Sequence, residues 1–475
     1  MIEVICNDET YVYNAYHMTK AFYPFREIGS RVEEKASNYI EIVFPEGKRV
    51  EISGRQGAKS DIDKELYRRL KDITGRSLAW GILTGVRPTK IAMRKLEEGW
   101  EKEPFISWFE EQFLVSREKA CLAWQIAARE KTLLQRLDYE NGYSLYVGIP
   151  FCPTVCTYCS FSSGALSEWA DSVDAYLDAL CRELIFISKA CAGKRLNTIY
   201  IGGGTPTSLD AGRLRRLLAC ISDHFSREHL LEYTVEAGRP DSITEEKLRA
   251  LKEHNVTRIS INPQTMQQKT LDVIGRRHTA EAVCHTYQMA REAGFDNINM
   301  DLIAGLPGET LKDMEDTLRQ IEILSPDSLT VHSLAIKRAA KMGQQWKQKG
   351  TESPMQEGDI GGMIRAAAVQ AQRMGLSPYY LYRQKNIAGN FENVGYAKVD
   401  KAGIYNILIM EEKQSIIAAG AGASTKLVQK RPVPVPGSKK GKETDQIRIE
   451  NVKAIDAYIE RIDEMIERKG EWLWH

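Results

Sequence analysis

The sequence predicts an α/β fold, a partial (β/α)6 barrel with an α+β domain before it and an α+β extension after it. Three observations predict this. From Tyr143 onward, six short β-rich runs alternate with long amphipathic segments, and serial βα units imply a parallel sheet that right-handed crossovers curl into a barrel. Polar or small residues recur where those runs end. The rhythm is absent before Tyr143 and fades after Met374, which places the parts at 1–140, 143–385 and 386–475.

In the first part, NYIEIVF (38–44) alternates as a strand, and FISWFEEQFL (105–114) and EKACLAWQIAARE (118–130) have helical spacing. WGILTGVRPTK (80–90) reads as a packed helix entry with surface charge. The barrel strands are SLYVGI (144–149), NTIYI (197–201), YTVEA (233–237), RISIN (258–262), INMDLI (298–303) and SLTVHSL (328–334). Segments such as 172–191 and 281–294 are long enough for crossover helices. In the extension, YNILIMEE (405–412) and SIIAAGAGAS (415–424) are expected to be strands. Residues 430–445, rich in Pro, Gly and charge, are expected to form an exposed loop. A final helix over 452–469 carries Ile455, Tyr458, Ile459, Ile462 and Ile466 on one face.

The 65 Lys and Arg nearly cancel the 64 Asp and Glu, so no general field draws the chain to nucleic acid or to an anionic membrane. The first residues lack a signal-peptide pattern, and nowhere do eighteen apolar residues run together. The expectation is a cytoplasmic protein.

Nine cysteines in so long a chain point to thiols rather than disulfide staples. Cys6, Cys121, Cys181, Cys191, Cys220 and Cys284 are scattered singly, as small buried hydrophobes are. Cys152, Cys156 and Cys159 fall together in YVGIPFCPTVCTYCSF, spaced C-x3-C-x2-C after a predicted strand. Three thiolates on a four-iron cluster leave one iron open, whereas structural zinc takes four protein ligands, for which only Cys181 and Cys191 are near. Alone, the three cysteines suit a cluster, zinc or plain thiols equally. NTIYIGGGTPT (197–207) tilts the balance, because glycines at a strand end let a ligand approach the backbone. Gly203 to Thr205, Glu236, Gln264 and Asp301 then follow or end successive strands, and in a parallel barrel those ends share one mouth. Singly, each carboxylate is as well explained as a satisfied core acid.

The cysteine loop, GGGTPT, VEAGRPDSIT, RISINPQTM, MDLIAGLPGET and the late GAGAS resemble, in that order, the radical S-adenosylmethionine (SAM) enzymes. Within them the sequence is similar to the oxygen-independent coproporphyrinogen III oxidases, particularly their HemZ branch. The resemblance implies a radical SAM barrel, a [4Fe-4S] cluster on Cys152, Cys156 and Cys159, and S-adenosyl-L-methionine chelating the open iron. It carries Tyr146, Gly203 and Glu236, with Ala423 beside them, onto contacts of one S-adenosylmethionine. Tyr158, Gly204, Thr205, Gln264, Arg276, Asp301 and Ala335 carry onto contacts of a second. The implied reaction is oxidative decarboxylation of coproporphyrinogen III to protoporphyrinogen IX in haem biosynthesis, with a deoxyadenosyl radical taking hydrogen from a propionate. The partners implied are the porphyrinogen, an electron donor such as flavodoxin or ferredoxin, and an electron acceptor. Four propionates ask for cations, for which Arg239, Arg277, Lys337, Arg338 and Arg383 are candidates.

Two positions depart from the family's oxidases: Phe161 stands where they have a further cysteine, and Gly148 where they have a histidine. The Phe161 version is similar to the related haem chaperone, which makes a haem-binding carrier the alternative. The chaperone's H-N-x-x-Y-W stretch falls on residues 405–410, where this chain has Tyr405 in place of the histidine.

Overall fold

The computed structural model describes residues 1–24, 26–34, 38–53, 59–85, 87–159, 163–335, 340, 342–344, 360–383, 390–434 and 443–473. Phe161, Lys337 and Arg338 lie outside these residues.

The chain starts with a small sheet of β1 (Ile2–Cys6), β2 (Ile28–Val32), β3 (Ile40–Val43) and β4 (Arg49–Ile52), in the order β2-β1-β3-β4. Burial alternates along β3 and β4, so one face of the sheet is apolar. Helices α1 (Glu9–Phe22) and α2 (Lys59–Thr74) cover it. Val4, Phe22, Ile42 and Leu66 lie in a core that ends near Ile82.

Three helices follow, α3 (Thr89–Glu97), α4 (Lys102–Phe113) and α5 (Arg117–Leu134). Their Ala92, Phe105, Phe109 and Trp124 belong to the second, larger core, which runs on to Leu473. The division at 140 expected from the sequence stands as a proposal about chain organisation; the two cores meet near Trp80, and a third, small cluster surrounds Leu271 and Leu334.

The six expected barrel strands form in series. They are β5 (Gly142–Ile149), β8 (Arg195–Gly203), β9 (Glu232–Gly238), β10 (Arg258–Ile261), β11 (Ile298–Ala304) and β12 (Ser328–Ser333). Each pairs in parallel with the next. Between β5 and β8 lie the two-residue strands β6 (Phe151–Cys152) and β7 (Gly164–Ala165). The connecting helices are α6 (Val173–Ala190), α7 (Ala211–His224), α8 (Glu245–Glu253), α9 (Gln268–Val273), α10 (Ala280–Glu292) and α11 (Leu311–Leu324). Asp210, Thr244, Thr279 and Thr310 cap α7, α8, α10 and α11, each accepting a hydrogen bond from a first-turn amide.

After β12 come α12 (Ile360–Arg373) and β13 (Ser377–Tyr382), and the extension adds β14 (Asn393–Ala397), α13 (Ile404–Glu411), β15 (Ser415–Ala419), β16 (Ser424–Pro434), β17 (Glu443–Glu450), α14 (Ile455–Glu460) and α15 (Ile462–Leu473). The sheet order is β13-β14-β12-β11-β10-β9-β8-β5-β15-β16-β17. Strand β15 is a seventh parallel strand beside β5, and among the described residues the sheet runs from β13 to β17 with no pairing between those two.

Three expectations in the extension are corrected. Residues 405–412 are helix α13, not a strand: Gly403 caps its start and Glu412 ends it in the left-handed region, at φ 54°. Residues 430–445 are not all loop, because β16 runs to Pro434 and β17 starts at Glu443, pairing with each other. The final helix is two helices broken at Arg461, although the predicted apolar face is inward at Ile455, Tyr458 and Ile462.

Candidate active site at the mouth of the partial barrel

Strand β5 carries the chain to the mouth, and the cysteine loop leaves from its end. Two amides of the glycine turn hold that loop: Gly204 N donates to Ile149 O at 2.7 Å and Thr205 N to Phe151 O at 2.7 Å. The contact requires glycine. A Cβ on Gly204 would lie 2.5 Å from Phe151 O, and Gly203 adopts φ 107°. Further on, the buried Arg239 grips the loop, donating from Nη1 to Thr154 O (3.0 Å) and Thr154 Oγ1 (2.7 Å). The same atom lies 3.9 Å from Cys156 Sγ, while Nε and Nη2 pair with Asp241. Thr205 Oγ1 donates to Cys152 Sγ at 3.5 Å.

All three cysteines line a single cavity of about 480 Å³. Gly203, Gly204, Thr205, Glu236, Gln264 and Asp301, expected at strand ends, line it as well, as do Tyr146, Tyr158, Arg276 and Ala335, which the resemblance implied. Arg239 is there too. Ala423 lies elsewhere, in the turn after β15, where its carbonyl accepts from Asn451 N at 2.9 Å. Arg277 is exposed on the outside. Arg383 is buried away from the cavity, donating to Leu83 O and Gly85 O with its guanidinium over Trp80. Gly148 does not line the cavity, and a Cβ there would face Ala419 O at 3.3 Å.

The wall also contains residues that sequence reasoning missed. Tyr200 Oη donates to Glu236 Oε1, and its ring stacks on Tyr405 of α13 at 4.4 Å. His332 Nε2 is 3.7 Å from Asp301 Oδ2, and its Nδ1 is 3.2 Å from Tyr382 Oη. Asn406, Ile409 and Met410 face the cavity from α13. His332 lies beside Ile303 on the neighbouring strand, two residues beyond Asp301, a register that only the folded sheet reveals.

Two carboxyls in this wall are driven apart. Burial pushes Glu236 up to about 7, with the Asp301 charge adding to the shift and the Tyr200 hydroxyl opposing it. Burial also pushes on Asp301, but hydrogen bonds and charge from His332, with Asn299 and Thr330, outweigh it and leave Asp301 below its ordinary value.

Several buried polar atoms in this wall have no hydrogen-bond partner among the described residues: Ser163 Oγ, Ser260 Oγ, Asn262 Oδ1, Gln264 Oε1 and Arg276 Nε. Burying such atoms is costly unless a ligand meets them. Gln264 is also held at φ 67°, uncommon for a residue with a side chain, by a bridge to β11. Among the described residues no three His, Cys, Asp or Glu side chains are close enough to share one metal ion. Three thiols spread along a loop suit a multi-iron cluster, whose ligands bind separate irons, better than one zinc ion. The donor set and the unpartnered polar wall therefore fit a cluster with an organic ligand beside it.

Residues 146–321 match the Radical SAM superfamily. Over 422 residues the chain is 40% identical to the "Oxygen-independent coproporphyrinogen-III oxidase-like protein HemZ" of Bacillus subtilis, covering 87% of this chain and 81% of that protein. The chain belongs to the radical SAM superfamily and to the HemZ branch of its coproporphyrinogen oxidase family. The cofactors of the superfamily are a [4Fe-4S] cluster and S-adenosylmethionine. The chain is also 40% identical over 194 residues to the "Heme chaperone HemW" of B. subtilis, covering 41% of this chain and 50% of that one. It is 31% identical over 222 residues to the Escherichia coli oxygen-independent coproporphyrinogen III oxidase, covering 46% and 48%. The solved E. coli coproporphyrinogen III oxidase shares the fold, with TM-score 0.54 and 21% identity over 71% of this chain and 73% of that one.

Proposed function

We propose that this chain oxidatively decarboxylates coproporphyrinogen III to protoporphyrinogen IX without oxygen. The observation that carries the reading is the convergence of three cysteines, two carboxyls of opposed proton affinity and five unpartnered polar atoms on one cavity. The relative named for a coproporphyrinogen-oxidase-like protein, matched along most of both chains, supports it. In this reading Cys152, Cys156 and Cys159 hold the cluster. Tyr146, Gly203 and Glu236 contact one S-adenosylmethionine, and Tyr158, Gly204, Thr205, Gln264, Arg276, Asp301 and Ala335 contact a second.

When bound, the cluster and S-adenosylmethionine supply a carbon radical able to take hydrogen from a propionate side chain. The chain's own residues bind and orient. Gly203 and Gly204 let the turn pack against the cysteine loop, and Gln264 Oε1 offers an acceptor on a fixed backbone. Arg276, which donates through Nη1 to Asn262 O at 2.5 Å, keeps an unpartnered Nε–H for an anionic group. An electron donor such as flavodoxin or ferredoxin and an electron acceptor complete the reaction in this proposal.

His332 and Met410 in the same wall favour a second reading, because either side chain is a possible axial ligand for haem iron. In that reading the protein is a haem-binding carrier with a [4Fe-4S] cluster.

Anaerobic reconstitution with iron and sulfide, followed by S-adenosylmethionine, a reductant and coproporphyrinogen, separates the two. The expected outcome is 5′-deoxyadenosine together with protoporphyrinogen, both lost in Cys156→Ala. Stoichiometric haem uptake without porphyrinogen turnover would replace this reading with the carrier.

A further inference from the structure

Outside the cavity, the contact between α6 and α7 carries a ladder of side chains that neither the fold nor the proposed reaction requires. Asp174 pairs with Arg213 (2.6 Å) and Arg216 (3.8 Å), and Asp178 pairs with Arg216. One more step along each helix, Cys181 and Cys220 take the next facing positions of the ladder, where each thiol perturbs the other. The steps are 174, 178, 181 on one helix and 213, 216, 220 on the other, the spacing of one helix face. Both helices turn other faces inward, through Tyr176, Leu180 and Leu184 and through Leu214, Leu217 and Ile221. The thiols therefore lie on the rim, each half-buried, with solvent access.

We propose that Cys181 and Cys220 form a dithiol site that low-molecular-weight disulfides oxidise to a reversible disulfide between α6 and α7. The direction of attack is set by the surroundings. The hydrogen bond from Cys220, with the Arg216 guanidinium nearby, holds Cys181 below the usual thiol range. That same hydrogen bond, with burial, pushes Cys220 up. The Cys181 thiolate attacks one sulfur of the small disulfide, RSSR, forming a protein–SR bond and releasing one RS⁻, which takes up the proton given up by Cys181. The Cys220 thiol then loses its proton, attacks the Cys181 sulfur and expels the second RS⁻, which takes that proton. The protein dithiol is oxidised by two electrons, and RSSR is reduced to two RSH. Of the other cysteines outside the cluster loop, Cys6 and Cys191 are buried, Cys284 is exposed on another helix, and Cys121 is half-buried on α5.

The site is independent of what the barrel mouth catalyses. Its test uses the cluster-loaded protein, treated anaerobically with glutathione disulfide, quenched by alkylation and mapped by peptide mass spectrometry. The expected product is one cross-linked peptide pair carrying Cys181 and Cys220, returned to two alkylated thiols by dithiothreitol. In Cys220→Ser the reaction should stop at a glutathione adduct on Cys181, at least tenfold more abundant than any adduct on Cys220 in Cys181→Ser. A persistent adduct on Cys181 in the unaltered chain would overturn the proposal. So would a cross-link to any other cysteine, or recovery of both residues fully alkylated.

Discussion

At the scale of single residues, the chemistry of the mouth depends on neighbours that sequence order does not reveal. The cysteines, the glycine turn, Glu236, Gln264 and Asp301 were legible because each sits at or just beyond a strand end, and alternation fixes where such ends point. Tyr200 and His332 were not, because one Tyr or His inside an apolar run looks like core until its cross-strand partner is known. Glu236 gives a direct test. Burial raises it from an ordinary 4.5 to about 7, so between those values the folded chain holds a proton that the unfolded chain has released. Stability from this group is therefore full below pH 4.5 and is lost as pH rises through about 7. Denaturant titrations of the cofactor-free protein should show Glu236→Gln removing on the order of 3 kcal/mol of that decline. The rest of the slope persists, because Glu130 and Glu411, a buried pair also raised by burial, titrate with the same sign. An unchanged slope in the variant would show that Glu236 is not raised.

At the scale of elements, burial decides what local pattern leaves ambiguous. The run 405–412 is apolar on nearly every side, with Tyr405, Ile407 and Leu408 buried, and periodicity cannot separate a fully buried helix from a strand. The facing ends of β16 and β17 were hidden for the opposite reason: Lys430 to Pro434 and Glu443 to Gln446 are largely exposed and polar, and the buried alternation is confined to Thr425, Leu427, Ile447 and Ile449. The chain's last helix shows how an element remote from the mouth positions it. Lys469 of α15 and Glu183 of α6 are both fully buried and paired. Glu183 also accepts from Asn451 Nδ2 (2.9 Å), Tyr458 Oη (2.5 Å) and Gly420 N (2.8 Å). That last bond fixes the turn after β15 against β5, where a Cβ on Gly420 would lie 2.6 Å from Gly148 O. Lys469→Met leaves Glu183 charged without its cation and should cost about 3–5 kcal/mol in chemical denaturation. Glu183→Gln combined with Lys469→Met should cost less than Lys469→Met alone, since no uncompensated charge remains. A double variant as unstable as the single one would mean that packing, not charge, carries the contact.

At the scale of the whole molecule, the barrel was legible because six repeats of one pattern reinforce each other, whereas the first part had no repeat to read. The segment 80–90, read from sequence only as a packed helix entry with surface charge, is a fastening between the first part and the extension. Trp80 Nε1 donates to the buried Glu392 at 2.8 Å, Arg87 and Lys90 both reach Glu412 at 2.6 Å, and Arg383 holds the carbonyls of Leu83 and Gly85. These partners lie some three hundred positions away in sequence, so no local pattern announces them. The fastening lies beside the junction of two apolar cores, where Phe113 packs against both, and distinct cores are expected to unfold as distinct cooperative units. Leu66, fully buried in the smaller core, tests this. Leu66→Ala should destabilise its own unit by about 2–5 kcal/mol, seen in calorimetry as a downward shift of one transition. The other transition, and the iron retained after reconstitution, should stay as they are, because the cysteine loop and its supports belong to the larger unit. A single transition that moves as a whole would show instead that the fastening makes the two cores one cooperative body.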